Sequence, residues 1–278
     1  MTTKRFPALD PDAIGTTRDA LHAYARVLGD WLKSTRPRRK HWWHASLRPS
    51  LTGLTTGVVR AGADFELELD FIANQLRVRT TEKDFKQDLN GQSAAGIATW
   101  LDETLAGIGV DPSLAPGDNA RGEDTFADYS PAQANALQGA LASVAAALQD
   151  LRAGIREETS PIQIWPHHFD LSMIWLPGSK IPDQDPADEE YADKQMNFGF
   201  VFGDEGIDEP YLYVTAYPLP DALPNVELPA GTTWKSEGFN GAVLLYKDLV
   251  AMNDPAAYLR DIWSTLLAAG QIHLAINE

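Results

Sequence analysis

The stretch FELELDFIANQLRVR, residues 65–79, decides the fold class because apolar and charged side chains alternate on both sides of a polar break. Alternation with a period of two is typical of a half-buried strand in an antiparallel sheet. We expect a hairpin with a tight turn at Ala73–Asn74, since asparagine tolerates the left-handed backbone of such turns. That register predicts the cross-strand ion pairs Asp70–Arg77 and Glu68–Arg79. We therefore interpret these acids as structural and exclude them from the catalytic candidates.

Amphipathic helices surround this hairpin and a second group of strands. Helical spacing of apolar residues predicts helices over residues 16–33, 93–106, 130–155 and 254–270. A capping pair of Thr16 and Asp19 predicts the start of the first helix, and Gly270 predicts the end of the last. Further strands are predicted over residues 162–176, 197–203, 211–217 and 241–246. Because the strands are grouped between helices, the pattern favours an α+β fold with one or two antiparallel sheets flanked by helices.

The element order is similar in the two halves of the chain. Each half reads as a helix, three or four strands and a helix, which predicts a diverged duplication. The pseudo-repeats would span residues 16–109 and 130–270, joined by a Pro-, Gly- and Asp-rich loop at 110–129. We expect both to belong to a single structural unit, residues 1–278.

Composition excludes several classes of function. Lys and Arg total 23 against 39 Asp and Glu, and a net charge of -16 disfavours nucleic-acid and membrane partners. The chain has no cysteine, which excludes disulfides, thiolate metal sites and cysteine nucleophiles. The first 15 residues lack the apolar core of a signal peptide, and no run approaches the roughly 20 apolar residues of a membrane span. We expect a cytoplasmic protein, and the sequence does not determine its oligomeric state.

Two motifs hold the candidate functional residues. Read as a strand, HWWHASLR (residues 41–48) directs Trp43, Ala45 and Leu47 to the core and Trp42, His44, Ser46 and Arg48 to a polar face. Read in the same way, WPHHFDLSMIW (residues 165–175) directs His168, Asp170 and Ser172 to its polar face. If the halves are related by two-fold symmetry, these polar faces meet in a shared cleft.

The chemistry predicted for this cleft is small-molecule binding or acid–base catalysis, hydrolysis included. We predict catalytic roles for His44, His168 and Asp170, because a carboxylate beside a histidine favours a general base. Arg48, Trp42 and Ser46 are predicted to bind the ligand, with Arg48 as a clamp for an anionic group. The simpler interpretation of each histidine is a hydrogen-bonded residue at a sheet edge.

Alternatives to this site follow from other patterns. Two histidines and one carboxylate could ligate zinc or iron, but without an HExxH motif we expect neither metal nor cofactor. Phe198, Phe200 and Phe202 alternate on one strand and Tyr211, Tyr213 and Tyr217 on the next, which predicts an aromatic wall. Such a wall is ordinarily core packing, but it could orient a ligand through the Tyr213 hydroxyl. The competing function is a non-catalytic binding or scaffold protein that uses these aromatic strands for a protein partner or a homodimer.

The motifs HWWHASL, GLTT, SPIQIWPHHFDL and PYLYVTAYP, followed by a helix that begins at Asp254-Pro255, occur in this order along the chain. In this order they resemble a bacterial domain-of-unknown-function family, numbered 5996. The resemblance runs from Trp31 to about Gly270 and implies a single conserved unit with no established activity. It places Trp42, Trp43 and His44, together with Phe169, Asp170 and Leu171, in the signature stretches.

Overall fold

A computed structural model describes residues 5–116, 122, 124–188 and 190–274 of the chain. Its helices are α1 Pro11–Thr35, α2 Ala94–Gly107, α3 Pro131–Ala153, α4 Tyr246–Val250 and α5 Pro255–Leu274. Its strands are β1 Arg48–Pro49, β2 Gly53–Ala61, β3 Ala63–Asp70, β4 Gln75–Arg79, β5 Asp84–Asp88, β6 Glu158–Thr159, β7 Gln163–Trp165, β8 Asp170–Leu176, β9 Gln195–Val201, β10 Tyr211–Tyr217, β11 Thr233–Lys235 and β12 Gly241–Leu245. None of the described helices is both long enough and apolar enough to span a bilayer.

The chain forms two compact units. The N-terminal unit comprises Leu9–Ala142 and Gln163–Phe169, and the C-terminal unit comprises Met1–Ala8, Ser143–Ile162 and Asp170–Glu278. Each unit has its own antiparallel sheet, so the predicted α+β class is confirmed and the number of sheets is two. The duplication stays a prediction. Part of the predicted connecting loop, residues 117–121 and 123, lies outside the described residues.

Helix α1 packs on the five-stranded sheet of the N-terminal unit, whose strand order is β1-β2-β3-β4-β5. Its buried stripe contains Tyr24, whose hydroxyl donates to the Leu89 and Gln92 carbonyl oxygens at 3.1 and 2.9 Å. The helix begins earlier than predicted because Asp10 caps it, accepting the Asp12 N–H, and Pro11 occupies the first turn. The predicted start at Thr16 is therefore wrong.

The hairpin β3–β4 has the predicted faces but a different register. Glu68 lies opposite Arg77 and Glu66 opposite Arg79, a shift from the predicted pairs. The Asp70 carboxylate causes this shift, because it accepts the N–H groups of Ile72 and Ala73 at 3.0 and 2.7 Å and so lengthens the loop. The predicted ion pairs are confirmed as diagonal contacts, with Arg77 3.7 Å from Asp70 and Arg79 3.6 Å from Glu68. Arg77 also lies 3.5 Å from Glu68, the residue directly opposite.

The C-terminal unit orders its strands β11-β12-β10-β9-β8-β6, and α5 packs on β9 and β10. Phe198, Phe200 and Phe202 are buried in its core, as the ordinary interpretation of the aromatic wall predicts. Gly270 lies inside α5, which continues to Leu274, so its predicted role as the helix end is wrong. A Cβ at this position would overlap the Met196 side chain, and the glycine therefore permits close packing of helix on sheet.

Candidate functional site

The HWWH motif forms a tight turn. Lys40–Trp42 is a single turn of 3₁₀ helix, and His41 and Trp42 have left-handed backbones with φ of 49° and 55°. Two consecutive residues in this conformation interrupt the pleat of a strand. The predicted strand from His41 to Arg48 is therefore wrong, and β1 begins only at Arg48.

Burial within the turn is the reverse of the predicted pattern. His44 is 6% exposed, whereas Trp43, which was assigned to the core, is only half-buried. The His44 Nδ1 atom accepts the Arg39 N–H at 3.2 Å. Desolvation, with the positive charges of Arg38 and Lys33, lowers the pKa of His44. His44 is therefore neutral at pH 7 and its Nδ1 atom stabilises the turn.

Trp42 is surrounded by cationic and aromatic groups. The Lys33 Nζ atom lies 5.0 Å and the Arg38 guanidinium carbon 4.9 Å from the centroid of the Trp42 ring system. The His44 ring stacks on Trp42 at 5.6 Å. Cation–π attraction thus holds two positive side chains close to one indole.

The second motif, WPHHF, also forms a turn. The Trp165 carbonyl oxygen accepts the N–H groups of His168 and Phe169 at 3.1 and 2.7 Å, and Phe169 has a φ of 57°. His168 lies in this turn and Asp170 begins β8, so the prediction that they share one strand face is wrong. His22 of α1 stacks on Phe169 at 5.3 Å.

The two turns and α1 line one cavity of the N-terminal unit, with a volume of about 350 Å³. Its lining residues are Arg26, Gly29, Asp30, Lys33, Trp42, Ala45, Pro166 and His167. Gly29 permits this arrangement, since a Cβ at position 29 would lie 2.7 Å from Pro166 Cβ and Cγ. The volume falls in the range of small-molecule sites.

His167 is the titratable ring at this cavity. His167 is an exposed residue, yet partial desolvation comes first among the causes that lower its pKa to about 4, followed by the neighbouring rings of His168 and His22 and the charges of Arg26 and Lys33. The His168 ring lies 4.3 Å from it, and the His22 Nε2–H donates to the His167 carbonyl oxygen at 3.2 Å. A neutral imidazole at pH 7 can accept a proton from a bound molecule.

Ser46 and Arg48 take part in a hydrogen-bond network inside the N-terminal unit. The Arg48 guanidinium donates to Gln163 Oε1 at 2.6 Å and to Ser46 Oγ at 2.9 Å. The Ser46 hydroxyl donates to Gln163 Oε1 at 2.7 Å. These bonds connect the chain after the first turn to β7, just before the second turn, and so stabilise the walls of the cavity.

Asp170 and Tyr213 are brought together in the C-terminal unit. The Tyr213 hydroxyl donates to Asp170 Oδ2 at 2.5 Å, and burial together with the Asp170 charge raises the pKa of Tyr213 well above its usual value. The Tyr213 ring lies across Gly199, where a Cβ would overlap it, so this buried hydrogen bond passes over β9 and joins β10 to β8. Among the described residues, no group of three His, Asp or Glu side chains could hold a metal ion.

Residues 6–273 match the family described as "Family of unknown function (DUF5996)". The chain belongs to this family. The predicted resemblance is therefore confirmed over nearly the whole sequence. No curated protein and no solved structure matches the chain. Membership of DUF5996 assigns no activity, so the function of this member is argued from its own site.

Sequence reasoning missed most of the cavity lining in this DUF5996 member. Arg26, Asp30 and Lys33 lie on the polar face of α1, and such a face is ordinarily solvated. Gly29 and Pro166 had no recognisable signal, because their role depends on contact between distant segments. The basic run RPRRK, residues 36–40, beside HWWH was the one available indication of local positive charge.

Proposed function

We propose that this protein binds a small molecule in the cavity between α1 and the two motif turns. One observation carries the proposal: the HWWH and WPHHF turns, more than 120 residues apart in sequence, line the same cavity of about 350 Å³. A concave site of this size with an indole, charged groups and an imidazole suits ligand binding. The cavity belongs to the N-terminal unit alone.

Acid–base chemistry on the bound molecule is the second part of the proposal. His167 lines the cavity and is neutral at pH 7, so it is our candidate for the general base, with His168 beside it. His44 has a supporting role, because it accepts the Arg39 N–H and stacks on Trp42. Hydrolysis remains one of the reactions that such a base could assist.

The competing scaffold function has less support. It depends on aromatic strands that contact a partner, but Phe198, Phe200, Phe202 and Tyr211 are buried in the core of the C-terminal unit, and Tyr217 is the exposed ring of these strands. A partner surface built on the buried rings would first require that core to open. We therefore favour the small-molecule site.

The cavity-filling substitution Ala45→Phe tests the proposal, since Ala45 lines the cavity. A metabolite library is screened by thermal shift against the wild type, Ala45→Phe and the control Ala106→Phe, where Ala106 is exposed on α2. We expect a saturable response in the wild type and the control and none in Ala45→Phe. Ligand responses that persist in Ala45→Phe would place binding elsewhere and overturn the proposal.

A further inference from the structure

We infer that the ligand of this cavity is a small anion, bound through a carboxylate or phosphate group. The inference rests on the proposed function and names the ligand class for the same site. It is argued from the charged residues near the cavity, from two cations of α1 that form no ion pair among the described residues, and from the cations beside Trp42.

Charge near the cavity is opposite to that of the whole chain. The protein has a net charge of -16, yet one short segment is rich in cations. In residues 26–40 the basic residues are Arg26, Lys33, Arg36, Arg38, Arg39 and Lys40, and the acidic residue is Asp30. A local positive patch on a strongly acidic protein attracts anions against the overall field.

Two of these cations line the cavity from one face of α1. Arg26 and Lys33 are seven residues apart, so two helical turns bring them to the same side, and both are exposed. Within the described parts of the chain, neither forms an ion pair with a carboxylate. Gly29 lies between them and is covered by Pro166. Asp30 also lines the cavity, so an anion there meets two cations and one carboxylate.

Trp42 lines the same cavity and has two positively charged side chains beside it. Lys33 and Arg38 each lie about 5 Å from its ring centroid. A bound anion near the indole would be attracted by both charges. Ordering of Lys33 against the ring also lowers the entropy that the side chain loses on binding.

The neighbouring histidines report the same positive potential. Besides desolvation, which is the largest cause, the permanent charges of Arg26 and Lys33 and the neighbouring rings of His168 and His22 lower the pKa of His167. For His44 the charges are those of Arg38, Lys33 and Arg36. A site that disfavours protonation of histidine through nearby cations favours a negatively charged ligand.

Titration calorimetry of the full chain with inorganic phosphate and with succinate, at constant ionic strength set by sodium chloride, tests the inference. Glycerol is the neutral comparison. We expect phosphate, succinate or both to bind, and Lys33→Gln and Arg26→Gln each to weaken binding about tenfold. The matched control is Lys83→Gln, because Lys83 also lies over an aromatic ring, that of Phe85 at 5.9 Å. This control should bind the anions with the affinity of the wild type. Whichever of phosphate and succinate binds more tightly identifies the anionic group of the ligand.

Two results overturn the inference, and they are separate from failure of the proposed function. The first is anion binding that Lys33→Gln and Arg26→Gln leave unchanged. The second is a library in which only neutral or cationic compounds bind and Ala45→Phe abolishes their response, so that the cavity is a site but not an anion site. If no compound gives a response that Ala45→Phe removes, the proposed function itself fails.

Discussion

The hairpin β3–β4 and the HWWH turn are both rich in charged and aromatic residues, but they are stabilised in different ways. The hairpin repeats one local rule, in which each apolar residue faces the core and each charged residue has an opposite charge across the strands. The turn has no repeat, and two of its residues adopt left-handed backbones. Contacts from α1, such as Lys33 against Trp42, accompany this conformation.

This contrast shows when a sequence pattern is enough to predict the local structure. Alternation over 15 residues is reinforced at every second position, so one unusual residue changes the register without changing the faces. A four-residue motif has no such redundancy, so contacts with distant parts of the chain determine its backbone conformation. Substitutions in the two regions should therefore differ in their consequences.

The largest effect is expected where α1 meets the second turn. Gly29→Ala places a Cβ 2.7 Å from the rigid ring of Pro166 and should destabilise the protein by roughly 1 to 3 kcal/mol. Gly15→Ala is the control in the same helix, because a Cβ there meets nothing within 4 Å. It should stabilise by up to about 1 kcal/mol. Urea denaturation measures the free energy of unfolding of both variants. Equal changes in the two would show that contact with Pro166 does not restrict the side chain at position 29.

In the HWWH turn, His44→Ala and Trp43→Ala should now have comparable costs. The strand interpretation predicts that Trp43→Ala, by removing a fully buried side chain, destabilises the protein by roughly 3 to 5 kcal/mol. It predicts that His44→Ala leaves the stability almost unchanged. Because Trp43 is half-buried, we expect roughly 1 to 3 kcal/mol. His44→Ala should cost about 1 to 2 kcal/mol, because it leaves the Arg39 N–H without its acceptor and removes the stack on Trp42. A destabilised Trp43→Ala beside an unaffected His44→Ala would restore the strand interpretation.

As the pH is lowered, the two turns should be destabilised at a higher pH than the hairpin. The folded state lowers the pKa of His22, His44 and His167 below 6.5, so between that value and the folded pKa the unfolded chain binds more protons. Their contribution to stability is full above pH 6.5 and falls as the pH drops, for His167 down to about 4.

Melting curves from pH 7.5 to 4.5 should show this loss, and His22→Phe, which keeps a ring against Phe169, should reduce it. Asp84 in the ladder has a lowered pKa, chiefly through its hydrogen bond with Arg77, so its contribution falls only as the pH drops below about 4. A melting temperature that stays constant between pH 6.5 and 4.5 would contradict the assignment to histidine.

The smallest effect is expected from single charges of the hairpin. Arg77→Met removes contacts with Glu68, Asp70 and Asp84, yet a partly exposed ion pair contributes little, and we expect a cost of about 0.5 to 1 kcal/mol. Arg60→Met is the control, because Arg60 is far more exposed and, among the described residues, its ion pair is with Asp64. This substitution should cost less than Arg77→Met. A loss of several kcal/mol at Arg77 would mean that the ladder, and not the apolar face, specifies the hairpin.

Sequence patterns alone were enough to predict the α+β class, the buried stripes of the long helices, the hairpin faces and the family. These features arise from periodic patterns, because burial of one face acts on every second residue of a strand and every third or fourth residue of a helix. The pairing of Asp170 with Tyr213 was not predicted, although each was named as a candidate site residue.

Specific contacts in the folded chain set the hairpin register, the turn of HWWH and the lining of the cavity. The register followed the Asp70 carboxylate, which accepts two N–H groups of its own loop and also lies 3.7 Å from Arg77. The cavity depended on Gly29, which lets Pro166 approach α1 and brings His167 to the same site as Trp42. Such contacts join residues more than 100 positions apart, and no local period records them, because the energy that selects them arises only after the chain has folded.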